Sequence, residues 1–147
     1  MKTSLLLIAG FLPTLCMGQI NRMDIDSFER IRSSKQIGVK QLKRDDSVIH
    51  RNLIGAWRDQ NSSFTFDKKG IMTTYFDDPK ESTRHKWTVK NRVLYLNPSG
   101  IEPGSLFAYK MKYFIIYSSP KDLEFRYIDK KADSTVWIAR KQPLQKR

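Results

Sequence analysis

From Leu53 onward, apolar and polar positions alternate in short runs separated by turn residues. The runs are Ile54–Arg58, Ser63–Asp67, Ile71–Phe76, Ser82–Val89, Arg92–Asn97, Leu106–Lys112, Tyr113–Ser118, Leu123–Tyr127 and Thr135–Lys141. They are rich in β-branched and aromatic residues, as strands are. The sixth and seventh abut and also read as one bent strand, so the count is eight or nine. Phe64 and Phe66 share a face opposite Thr65. His85, Trp87 and Val89 share another, as do Leu94 and Leu96. Phe107, Tyr109 and Met111 alternate with Ala108, Lys110 and Lys112, and Leu123, Phe125 and Tyr127 with Glu124 and Arg126. A two-residue period with one apolar side describes a sheet with a buried and a wet face.

The separators suit short connections. Asp67-Lys68-Lys69-Gly70 and Lys90-Asn91 fit tight hairpins. Asp77-Asp78-Pro79, Pro98-Ser99-Gly100, Pro103-Gly104 and Ser119-Pro120-Lys121-Asp122 fit longer turns. Consecutive strands with short links predict an antiparallel meander. Closing it removes the exposed edges, so the expected fold is all-β: a small antiparallel up-and-down β-barrel of about eight strands.

The chain before Leu53 has a different texture. Lys2, the apolar run Leu5–Leu15 and the small residues after it read as a secretory signal peptide over residues 1–18. The run is about half the roughly 20 residues that span a bilayer. A cut before Gln19 would leave a mature chain with no cysteine, hence no disulfide, thiol nucleophile or thiolate-held metal. Cys16 offers lipid anchoring as a second reading, against which Leu15 and Pro13 count. Residues 19–52 form a polar leader. Ile25, Phe28 and Ile31 predict a short amphipathic helix over 24–34, capped by Asp24 or Asp26. Gly38 and Asp45-Asp46-Ser47 read as breaks. The leader is either a helix packed across one end of the domain or a loose arm; residues 53–147 are the barrel.

Composition and charge narrow the function. The 147 residues fit one domain, with 39% hydrophobic and 12% aromatic content, enough for a core. The formal charge of +12 favours anionic partners, an envelope surface or an acidic protein, or else describes a solvated outer wall. No nucleic-acid recognition module is evident. Two histidines and no Gly-x-Ser-x-Gly elbow leave no catalytic residue set, no metal-ligand spacing and no implied cofactor, so an enzyme is not expected. The pairs Asp45-Asp46 and Asp77-Asp78 read as turn residues.

One ordered set of residues carries a resemblance. Gly55 and Trp57 form Gly-x-Trp on the first strand. Phe64-Thr65-Phe66 with Gly70, then Trp87, then Leu94-Tyr95-Leu96, then Trp137-Ile138-Ala139-Arg140-Lys141 follow in order. The stretch from about 53 to 141 resembles the lipocalin-like, calycin-type domains of small exported bacterial proteins. The resemblance implies a closed barrel open at one end, Trp57 packed across the closed end and Arg140 lying over its ring. It also implies a binding protein, exported to the periplasm or beyond, that holds a small apolar or amphipathic ligand. Trp87, Tyr109 and Tyr117 are the expected lining, with His85 either a lining or a core residue. The other reading is a packed scaffold whose basic surface meets a protein or an anionic envelope partner.

Overall fold

The computed structural model describes residues 18–76, 82–100, 109–128 and 135–143. Two helices precede eight strands: α1 (Ile25–Ser33), α2 (Val39–Leu53), β1 (Gly55–Arg58), β2 (Ser63–Phe66), β3 (Ile71–Tyr75), β4 (Ser82–Lys90), β5 (Val93–Pro98), β6 (Met111–Ser118), β7 (Asp122–Tyr127) and β8 (Val136–Lys141). Every strand pairs antiparallel with its sequence neighbour, and β8 returns to β1 to close the barrel. That closing seam is short. Among the described residues its register pairs are Trp57↔Lys141 and Arg58↔Arg140, with Gln142 N donating to Ala56 O at 2.8 Å beside them, against five aligned pairs between β7 and β8.

Short-range chemistry accounts for the turns. Asp67 accepts the backbone N–H groups of Lys69 and Ile71, at 2.9 and 2.8 Å, and Gly70 takes φ +83°. The β4–β5 hairpin turns one residue later than the sequence suggests, at Asn91-Arg92, with φ of +52° and +62°. Two residues with positive φ match the right-handed twist of the flanking strands. Of the expected strand over 106–112, Tyr109 and Lys110 are not in a strand, and Met111 and Lys112 join the next run in one strand, Met111–Ser118, so the described residues hold eight strands. The first residues of that expected strand, and the turn candidates at 77–79 and 103–104, lie outside the described residues.

The leader is folded. Asp24 caps α1 by accepting Ser27 N–H at 2.8 Å. Phe28 of α1 packs against Phe114 on the outer face of β6, with ring centroids 5.3 Å apart. Phe114, Ile115 and Ile116 are therefore all buried: Ile115 faces the barrel core, and its neighbours face α1. The second helix is not in the sequence expectation. Gly38 does start it, but Asp45-Asp46-Ser47 lies mid-helix rather than at a break. The two aspartates have partners that favour the helix. Asp45 accepts Gln41 Nε2 at 2.7 Å, and Asp46 accepts the N–H groups of Asn91 and Arg92 at 2.8 and 2.9 Å. Ile49 and Leu53 of α2 are fully buried in the barrel core, where they plug one end.

The plugged end is finished by Trp57. Its Nε1–H donates to Leu53 O at 2.7 Å, and the ring is 1% exposed. The cation over the ring is Lys141, not Arg140: its Nζ lies 5.1 Å from the ring centroid and donates to Asn52 O at 2.8 Å. Directly paired residues share a face of the sheet. Lys141 is paired with Trp57, while Arg140 is paired with Arg58 and is exposed beside it. Gly55 makes room for this cation. It has φ +131°, and a Cβ there would lie 2.8 Å from Lys141 Cε.

Candidate ligand-binding site

The end opposite α2 holds a cavity of about 200 Å³. Strand parity builds it. Phe64 and Phe66 of β2, Met72 of β3, Leu94 and Leu96 of β5 and Phe125 of β7 all point inward and supply its apolar walls. Phe64 meets Phe66 edge-on at 5.7 Å and Phe125 at 6.3 Å, which leaves the rings interlocked. Tyr113 stands edge-on to Phe125 at 5.3 Å. A few polar groups sit among them: Asp59 and Ser62 at the β1–β2 turn, Thr74, Thr83, His85 and Tyr113.

The electrostatics of the wall follow from burial. Burial, reinforced by Tyr109, Tyr127 and Asp59, pushes the Tyr113 phenol up to about 12. Its hydroxyl donates to the Met111 Sδ, at 3.4 Å, a weak acceptor. Among the described residues no group of three His, Cys, Asp or Glu side chains is arranged to hold a metal ion. No described helix is long and apolar enough to cross a membrane.

The structure brings one of the three expected lining residues to the cavity. Tyr109 borders it, half exposed, from just before β6. Trp87 lies nearer the plugged end, 3% exposed, stacked 4.5 Å from His50 of α2 and 5.2 Å from Phe66. Among the described residues its buried Nε1 has no hydrogen-bond partner. Tyr117 is outside the barrel, under the Arg22 guanidinium at 5.5 Å. Alternation from Tyr113 and Ile115 would turn Tyr117 inward. A bulge between Ile115 and Tyr117 reverses the phase, so Ser118 is the inward residue and receives Asn52 Nδ2 at 3.2 Å. His85, expected to face inward, does so and lines the cavity.

Asp59 and Trp137 line the cavity and are absent from the sequence expectation. Trp137 was visible as an aromatic on the last strand. Asp59 carries no hydropathy signal and looks like any turn aspartate. Arg92 was missed for a different reason. It is a fully buried cation behind the barrel wall, donating to Ile115 O, Ile116 O and Asn21 O at 3.2, 2.8 and 2.9 Å. A guanidinium in a hairpin turn reads as surface charge until its carbonyl partners are known.

No protein-family profile matches the chain, and no curated protein matches it significantly. Among solved structures, it is similar to a lipocalin-like protein from Bacteroides uniformis. The TM-score is 0.50 and the identity 13%, over 62% of this chain and 99% of that one. At that identity the likeness speaks to fold alone, and with the closed eight-stranded barrel it makes this a lipocalin-like fold.

Proposed function

We propose that this chain is an exported binding protein whose lipocalin-like barrel holds a small apolar or amphipathic ligand and performs no chemistry on it. The observation that carries the reading is the cavity of about 200 Å³ with aromatic and aliphatic walls in a barrel plugged at its other end. A dry apolar cavity of about 150 Å³ takes a benzene-sized molecule. This one suits a single ring with a short arm, or a short chain of similar bulk. Affinity would come from apolar area removed from water, with Ser62, the two threonines and the Tyr113 hydroxyl fixing orientation. The lysine-led apolar start supports export, with residues 1–18 removed.

Native mass spectrometry of the protein, exported by its own leader from a bacterial host, tests both parts. The expected result is a polypeptide beginning at Gln19 that carries an extra mass released on denaturation. A bare mass that persists after incubation with envelope lipid extracts and a panel of single-ring amphiphiles would remove the ligand-binding reading. A retained leader would remove the export reading.

A further inference from the structure

The cavity's charge runs against that of the chain. Lys and Arg number 27 against 15 Asp and Glu, yet no described Lys or Arg lines the cavity. Among the described residues its one acidic lining residue is Asp59. That carboxylate is held in place by its own turn. Oδ1 accepts the N–H groups of Asn61 and Ser62, at 2.8 and 2.6 Å. The Ser62 hydroxyl is shared between Oδ1 and Oδ2, at 3.1 and 3.0 Å. A carboxylate has about four acceptor positions. Oδ2 is thus oriented by Ser62 and has capacity left, and Asp59 is in no ion pair among the described residues.

The walls next to it favour a cation and oppose an anion. Phe64, Tyr109, Tyr113, Phe125 and Trp137 present aromatic rings, whose faces attract positive charge. Burial, with smaller contributions from Tyr109, Tyr127 and Asp59, raises the Tyr113 phenol, so an anion beside it would meet poor solvation and a carboxylate of its own sign. We infer that the cavity selects a small organic ammonium ion, its charged end on Asp59 Oδ2 at the β1–β2 turn and its apolar body among the aromatic walls. This rests on the cavity being a ligand site, as proposed above.

Calorimetric titration with three probes of one shape tests it: phenethylamine, phenethyl alcohol and hydrocinnamate, at neutral pH. The amine is expected to bind about ten- to a hundredfold more tightly than the alcohol, the gain of a charge-assisted hydrogen bond, with the carboxylate weakest. Asp59→Asn keeps an Oδ1 acceptor for the turn. It is expected to lower amine affinity to that of the alcohol and to leave the alcohol unchanged. Equal binding of amine and alcohol by the unaltered protein, or tightest binding of the carboxylate, overturns the inference without any variant and leaves the ligand site standing. An amine preference that survives in a folded Asp59→Asn variant overturns it as well. Binding of none of the three at millimolar concentration overturns the ligand site itself.

Discussion

The Trp57 indole is fixed from three directions: its N–H by Leu53 O, its face by the Lys141 ammonium, and its edge by the barrel core. Replacing it with alanine deletes a large buried aromatic, and a loss of about 3–5 kcal/mol is expected in urea unfolding. The two neighbouring cations separate cleanly in the same assay. Lys141→Ala removes the ring contact and is expected to cost about 0.5–2 kcal/mol. Arg140→Ala, on the exposed face, is expected to stay within about 0.5 kcal/mol. The reverse ranking would mean that the β1–β8 register is wrong. The importance of Gly55 and Trp57 was legible in the sequence, not from the Gly-x-Trp tripeptide alone but from its place at the head of an ordered set that runs on through Phe64-Thr65-Phe66, Trp87 and Trp137-Ile138-Ala139-Arg140-Lys141. The identity of the cation was not, because Arg140 and Lys141 differ by one residue and only the register decides which faces inward.

Strands were legible where each buried one face, since alternation then states the fold directly. The sequence misled where that pattern broke. The bulge in β6 turned Tyr117 outward, and α1 covers the outer wall so that three consecutive β6 residues are buried. Helix α2 escaped notice because Asp45-Asp46 resembles a turn; its helical state rests partly on a hairpin about 45 residues away that completes the hydrogen bonding of Asp46. Arg92, behind the barrel wall, ties the same hairpin to β6 and to Asn21, the residue after Ile20, which pairs with Ser118. Arg92→Met removes a charged donor set and leaves Ile115 O without it. A loss of about 1.5–3 kcal/mol is expected. Asp46→Ala is expected to add less than its separate effect when combined with Arg92→Met, since both act on one hairpin. Fully additive midpoints would separate the two.

On the scale of the whole molecule, the excess of basic residues sits on the outside. Arg84 and Lys86 face solvent opposite the buried His85 and Trp87. The cavity wall carries a buried phenol, Tyr113, and this gives stability a definite dependence on alkaline pH. Folded Tyr113 keeps its proton up to about 12, whereas the unfolded phenol loses it near 10.0. Between those values the unfolded state binds fewer protons, so stability is intact below the lower value and falls as pH rises towards the upper. The urea midpoint is expected to drop over that window, and Tyr113→Phe is expected to drop less. An equal drop in both proteins would place the alkaline loss elsewhere. The cavity's walls were legible from strand parity, but its mouth was not. Turn residues such as Asp59 acquire their roles only when closure brings the ends of β1 and β8 to one side.

That closure resembles a zipper with two teeth. Beyond Arg58, β1 has ended, so Val136–Ala139 are laddered to β7 but have no β1 rung among the described residues. Breathing of the wall should begin here, because β1 and β8 share two register pairs where each other neighbouring pair of strands shares at least four. Asp59 and Trp137 border both this weak margin and the cavity. Amide protons at the end of β1 and along β8 should therefore exchange with deuterium sooner than those of β6 and β7. A bound guest should slow them most of all, since holding Asp59 to Trp137 fastens the margin from within.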